Sequence, residues 1–93
     1  VDFRSAYRHG FVRVAACTLR TTLTDPPANA RAVLESARAC HDEGVGVAVF
    51  PELTLSGYSL DDVVMQDVLL DEVERALAEV VAGSAGLLPV LVV

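Results

Sequence analysis

Glu52 is the residue whose type and setting could do chemistry. It follows Phe50 and Pro51 at the end of the apolar run Val45-Gly46-Val47-Ala48-Val49-Phe50, and the chain then leaves through Leu53-Thr54-Leu55-Ser56-Gly57-Tyr58. Pro51 has no backbone N–H and a fixed φ, so a strand should end near it. Glu52 then stands at the carboxyl end of that strand, where open α/β sheets collect their binding and catalytic groups. Taken alone, such an acid is usually a solvated loop carboxylate. The other candidates are weaker. Cys17 and Cys40 fall in a strand and a helix and read as free thiols, Cys17 as a small buried hydrophobe. The sequence has neither a CxxC pair nor a Cys and His ligand cluster, so it makes no case for structural zinc. His41 lies near a helix C-terminus and reads as a packing or capping group.

The elements that must position Glu52 are legible on both sides of it. Phe11–Cys17 reads as a first strand, with Val12 and Val14 on one face and Phe11, Arg13 and Ala15 on the other. Asp25-Pro26-Pro27 opens a helix, with Asp25 as cap and Pro26 at the first helical position. Ala30, Val33, Leu34, Ala37 and Cys40 or His41 recur at helical spacing, with Arg31, Glu35, Arg38 and Asp42 opposite, and Gly44 is a stop. Val45–Phe50, apolar almost throughout, reads as a second strand covered on both faces. Strand, helix and strand in this order predict a parallel, right-handed crossover.

After the Glu52 segment, Ser59-Leu60-Asp61-Asp62 has capping-box spacing and Asp67 can cap a fresh turn. Leu69 or Leu70, Val73, Ala76 or Leu77, and Val80 form the buried stripe of a second helix, closed by Ala82-Gly83-Ser84-Ala85-Gly86. Leu88–Val93 reads as a third strand with Pro89 near its start or on an edge. The fold class is therefore α/β, in a β-α-β-α-β order. Val1–Gly10 fits a short helix joining Phe3 and Tyr7, or an irregular arm.

Composition narrows the classes of function. The chain has 93 residues, 53% hydrophobic and 22% charged, enough for one small core. Its formal charge is −6, from 13 acids against 7 basic residues, all of them Arg. No basic cluster makes a nucleic-acid footprint, although Arg4, Arg8 and Arg13 could make a local one. The apolar runs are too short for a membrane span, and no secretory leader pattern opens the chain. A cytoplasmic location is expected. The uncapped apolar run at the end reads as part of something larger, because an unpaired strand edge invites association. Neither Gly44-Val45-Gly46 nor Gly83–Gly86 has phosphate-loop spacing or its lysine.

Phe50-Pro51-Glu52-Leu53 followed by Ser56-Gly57-Tyr58 resembles the first catalytic motif of the carbon–nitrogen hydrolase, or nitrilase, superfamily. The order around it agrees: a first strand, a helix with Asn29 at its start, a second apolar strand, then the motif. Phe3-Arg4-Ser5-Ala6-Tyr7, His9-Gly10-Phe11-Val12-Arg13-Val14-Ala15 and Ser59 through Leu70 more closely resemble the amino-terminal glutaminase domain of the glutamine-dependent NAD(+) synthetase family, in its actinobacterial form. The likeness covers essentially all 93 residues and the opening third or so of such a domain.

The resemblance implies an α-β-β-α sandwich to which residues 1–93 contribute three strands and two helices. In that family a glutamate, a lysine and a cysteine make the catalytic set. Glu52 matches the glutamate as general base, and Tyr58 matches a tyrosine near the glutamine pocket, where an aromatic packed under the loop is an equal reading. The lysine and the nucleophilic cysteine would lie beyond residue 93, since the chain has no Lys and neither Cys17 nor Cys40 occupies the nucleophile's position. Glutamine would be hydrolysed here. The ammonia would pass to an ATP-activated nicotinate adenine dinucleotide, with ATP and Mg2+ bound by a synthetase domain absent from these residues. A homo-oligomer is expected, with no cofactor in this segment and no nucleic-acid or membrane partner. A stand-alone amidase of the same superfamily, acting on a small amide, would share Glu52, and a non-enzymatic α/β module would leave it a surface acid.

Overall fold

Asp25 and Pro26 start the first helix in the computed structural model, which describes residues 5–22, 25–56 and 67–93. Helix α1 spans Pro26–Asp42, and Asp25 Oδ1 accepts the Ala28 N–H at 3.2 Å. Pro26 costs the helix nothing at this end, because a first-turn amide has no helical acceptor. The helix stops where Gly44 turns left-handed, at φ +74°, and its N–H reaches the His41 carbonyl at 3.0 Å. Ala30, Val33, Ala37 and Cys40 are buried, whereas Arg31, Glu35, Arg38, His41 and Asp42 face water. Of Cys40 and His41, the cysteine takes the core position.

Helix α2 spans Asp67–Gly83. Leu69, Ala76 and Val80 are buried and Val73 half-buried, a spacing that returns to one face every turn or two. Leu70 and Leu77 lie on the exposed side. Tyr58 and the capping-box segment Ser59–Asp62 lie outside the described residues.

Three short strands, β1 (Val14–Ala16), β2 (Val47–Val49) and β3 (Val90–Val92), form a parallel sheet in the order β1-β2-β3. Ala15, Ala48 and Leu91 stand side by side in register and face the helices. There they meet Ala30, Val33, Ala76 and Val80, while α1 and α2 pack against each other. The expected β-α-β-α-β order holds, as the portion of the nitrilase-type sandwich that one sheet and its covering helices make up.

Two details differ from the sequence reading. Regular ladder covers three residues per strand where runs of six or seven were expected, although backbone bonds continue past the ends. Cys17 N–H donates to Val49 O at 2.8 Å, Phe50 N–H to Val92 O at 2.8 Å, and Gly46 N–H to Arg13 O at 2.8 Å. In addition, among the described residues β2 is covered on one face only. Val14, Val49, Val90 and Val92, which share the opposite face, are all exposed. An all-apolar strand sequence therefore marks a second face that is open among the described residues.

The amino-terminal segment holds one short 3-10 helix, Ala6–His9. Tyr7 Oη donates to the Gly44 carbonyl, and Arg13 donates to that of Glu43, so both brace the α1–β2 turn. Gly46 lies beneath them: a Cβ there would stand 2.8 Å from Val12 Cγ2 and 2.9 Å from Tyr7 Oη.

Candidate active-site loop

The loop that carries Glu52 is a folded turn anchored at several points. The β2 ladder makes its last bond at Phe50, and Pro51 has no amide with which to continue. Glu52 and Leu53 swing outward into solvent, then Thr54, Leu55 and Ser56 turn back and are buried. Leu55 joins the hydrophobic core beside Val45, Ala48 and Phe50. Thr54 Oγ1 donates to the Pro51 carbonyl, and Ser56 Oγ to that of Leu53 at 3.4 Å. Leu53 takes a left-handed backbone with φ +61°. That conformation costs a non-glycine residue about 1 kcal/mol or more. The reversal that projects Glu52 is thus bought with backbone strain, held in place by the bonds on either side.

Asn29 ties this loop to the rest of the fold. Its side chain is 1% exposed, one turn into α1. Asn29 Nδ2 donates to the Leu55 carbonyl at 2.8 Å and to the Thr22 carbonyl at 2.9 Å. Its Oδ1 accepts the Thr22 N–H at 2.7 Å. One amide therefore joins the β1–α1 connection, the start of α1 and the Glu52 loop. In the sequence, Asn29 marks only the order of the elements. A poor helix former placed inside the first turn, and not at the cap, was the available signal that its side chain was occupied.

Glu52 is at the strand end where the sequence put it, but it stands in the open. The low-dielectric wall that a general base needs is not supplied by the described residues. Beside the loop lies a shallow groove of about 250 Å³, walled by Thr54, Leu55, Ser56, Val73, Leu77 and Val93. Tyr58, the second candidate, lies outside the described residues.

The cysteines sit elsewhere. Cys17 Sγ and Cys40 Sγ are 3.9 Å apart, packed between the sheet and α1, and both are free thiols. Burial, then the hydrogen bond and charge of Cys17, then the charge of Glu43, push the Cys40 thiol above its usual pKa. A nucleophilic thiol requires the opposite shift. His41 Nδ1 accepts the Leu88 N–H at 2.9 Å, which makes it a brace between α1 and the lead into β3. Among the described residues, no group of three His, Cys, Asp or Glu side chains could hold a metal ion, and no helix is long and apolar enough to cross a membrane.

No family model matches the chain. Individual relatives match it throughout. It is 68% identical over all 93 residues to a glutamine-dependent NAD(+) synthetase from Mycobacterium tuberculosis (strain ATCC 25618 / H37Rv). It is 58% identical over the same 93 residues to the protein of that name from Mycobacterium leprae. The chain is similar over its whole length to glutamine-dependent NAD(+) synthetases. A more distant relative, from Thermotoga maritima, is 35% identical over 66 residues, 71% of this chain. The chain spans 14% of the length of its mycobacterial relatives.

Proposed function

We propose that residues 1–93 are the opening part of a glutaminase domain and that Glu52 is its general base. The protein to which they belong would release ammonia from glutamine and use it to amidate nicotinate adenine dinucleotide to NAD, at the expense of ATP. The observation that carries this reading is the 68% identity over every residue of the chain to a relative that bears that name. The Glu52 loop supports it from the structural side. A carboxylate at the carboxyl end of a central parallel strand, on a strained and anchored turn, is built to hold one position.

The chemistry follows from the residue types. A cysteine beyond residue 93 attacks the side-chain carboxamide carbon of glutamine, and Glu52 takes the thiol proton as the C–S bond forms. A lysine, also beyond residue 93, stabilises the oxyanion of the tetrahedral intermediate. Glu52 passes the proton to the departing nitrogen, so ammonia leaves and a thioester remains. Water, activated by the same carboxylate, then releases glutamate and restores the thiol. The remainder of the protein supplies the wall that closes over Glu52, and Tyr58 lines the glutamine pocket. The synthetase domain that binds ATP, Mg2+ and the dinucleotide lies outside these residues, and the whole protein works as a homo-oligomer in the cytoplasm.

The direct test uses the full-length protein with glutamine labelled with nitrogen-15 at the amide, together with ATP, Mg2+ and nicotinate adenine dinucleotide. The label is expected in the carboxamide of the NAD formed, with glutamate released alongside. Glutamate release without labelled NAD would point to a stand-alone amidase, and the absence of both would remove the enzymatic reading.

A further inference from the structure

We propose that Asn29 is a positioning residue for glutamine hydrolysis, holding Glu52 in place through the Leu55 carbonyl. The inference rests on the reading of Glu52 as the general base. Its physical basis is the way the loop is wired. Thr54 Oγ1 to Pro51 O and Ser56 Oγ to Leu53 O make residues 51–56 one interlocked turn. Such a turn can shift as a unit, and among the described residues the bond from Asn29 Nδ2 to Leu55 O ties it to α1. Glu52 itself is exposed and precedes the buried part of the turn, so its direction is set by where that part is anchored.

The chemistry of the tether is specific to a carboxamide. Asn29 donates twice, to Leu55 O and Thr22 O, and accepts once, from Thr22 N–H. Aspartate has the same shape and can still accept from Thr22, but as a carboxylate it faces two carbonyl oxygens with nothing to donate. Asn29→Asp therefore releases the loop while filling the same volume. Small displacements of a reacting group are expensive: about 1 Å can cost on the order of 100-fold in rate. A role confined to folding would instead lower stability and every activity of the protein together.

The test is a double-mutant cycle in the full-length protein, with glutamine-driven and ammonia-driven NAD synthesis measured side by side. Asn29→Asp is expected to lower kcat with glutamine by about 10- to 100-fold, with KM for glutamine changed by only a few-fold. Ammonia-driven synthesis should stay within about two-fold, since that step does not use the loop. In a Glu52→Gln background, Asn29→Asp should cost almost nothing more, because the group it positions is already gone. Val33→Ala, a core change in the same helix, serves as the control: it should lower stability without altering the ratio of the two activities. Asn29→Ser, which retains one donor, should recover part of the glutamine-driven rate.

Multiplicative losses in the double variant would overturn the inference, as would equal losses with both nitrogen donors. Failure of both Asn29 variants to fold would overturn it too, because Asn29 would then belong to the fold alone. If Glu52→Gln by itself leaves glutamine use intact, the base assignment fails first and the inference goes with it. Normal cost at Glu52 with independent cost at Asn29 removes only the positioning role.

Discussion

Burial and the neighbouring Cys17 thiol raise the Cys40 pKa above its usual 9.0. The sign of the consequence follows from proton counting. As pH rises past about 9, the unfolded chain loses the Cys40 proton while the folded chain still holds it, so stability falls with pH. The contribution is complete below the unfolded value and disappears as pH rises through the folded one. Denaturant midpoints measured from pH 8 to pH 10 should therefore decline, and Cys40→Ala should flatten that decline. An unchanged slope in the variant would contradict the assignment. In the folded protein Cys40 should also alkylate more slowly than the half-buried Cys17, as followed by mass spectrometry. At this scale, Leu53 and Asn29 show where sequence reading stops. A leucine does not announce a left-handed backbone, and a buried asparagine does not announce partners 7 and 26 residues away.

The elements themselves were written in local signals. Asp25 followed by two prolines predicted the start of α1, and the structure has the Asp25 cap and Pro26 at the first position. Removing that cap by Asp25→Ala should cost about 1 kcal/mol, read as a lower unfolding midpoint. Gly46 carries a requirement of another kind. Adding a methyl group there puts carbon within 2.8–2.9 Å of Val12 and Tyr7, two exposed side chains that must give way, so Gly46→Ala should cost about 1 kcal/mol, the low end for overpacking. Val12→Ala in the Gly46→Ala background should recover part of the loss; no recovery would mean that the contact with Val12 is not the source. Strand lengths and strand faces were less legible. Val45–Phe50 is apolar throughout, and such a run has no alternation to say which side chains meet the helices. The register Ala15–Ala48–Leu91 decides it, because three parallel strands and two helices packed together leave the valine face outward.

At the scale of the whole molecule, the open valine face and the exposed Glu52 belong to one picture. Among the described residues, helices cover one face of the sheet and leave Val14, Val49, Val90 and Val92 in water. A contiguous apolar surface of this kind associates. The 93-residue polypeptide by itself should sediment with an average mass that rises with concentration, and Val49→Lys with Val90→Lys should suppress that rise. A compact monomer at all concentrations would count against the open face as an interaction surface. The same open arrangement explains why the candidate site was only partly legible. The Pro51–Glu52 strand end can be read from adjacent residues, whereas the cover, lysine and thiol that complete the proposed site are not among them.

The central claim is that Glu52 moves protons during glutamine hydrolysis. Glutamine-driven and ammonia-driven NAD synthesis by full-length Glu52→Gln protein test it most directly. The amide keeps the size of the side chain and cannot accept the thiol proton. The glutamine-driven rate should fall by about 10²–10⁴-fold, while the ammonia-driven rate stays near that of the parent. A folded Glu52→Gln protein that still uses glutamine within a few-fold of the parent would contradict the account.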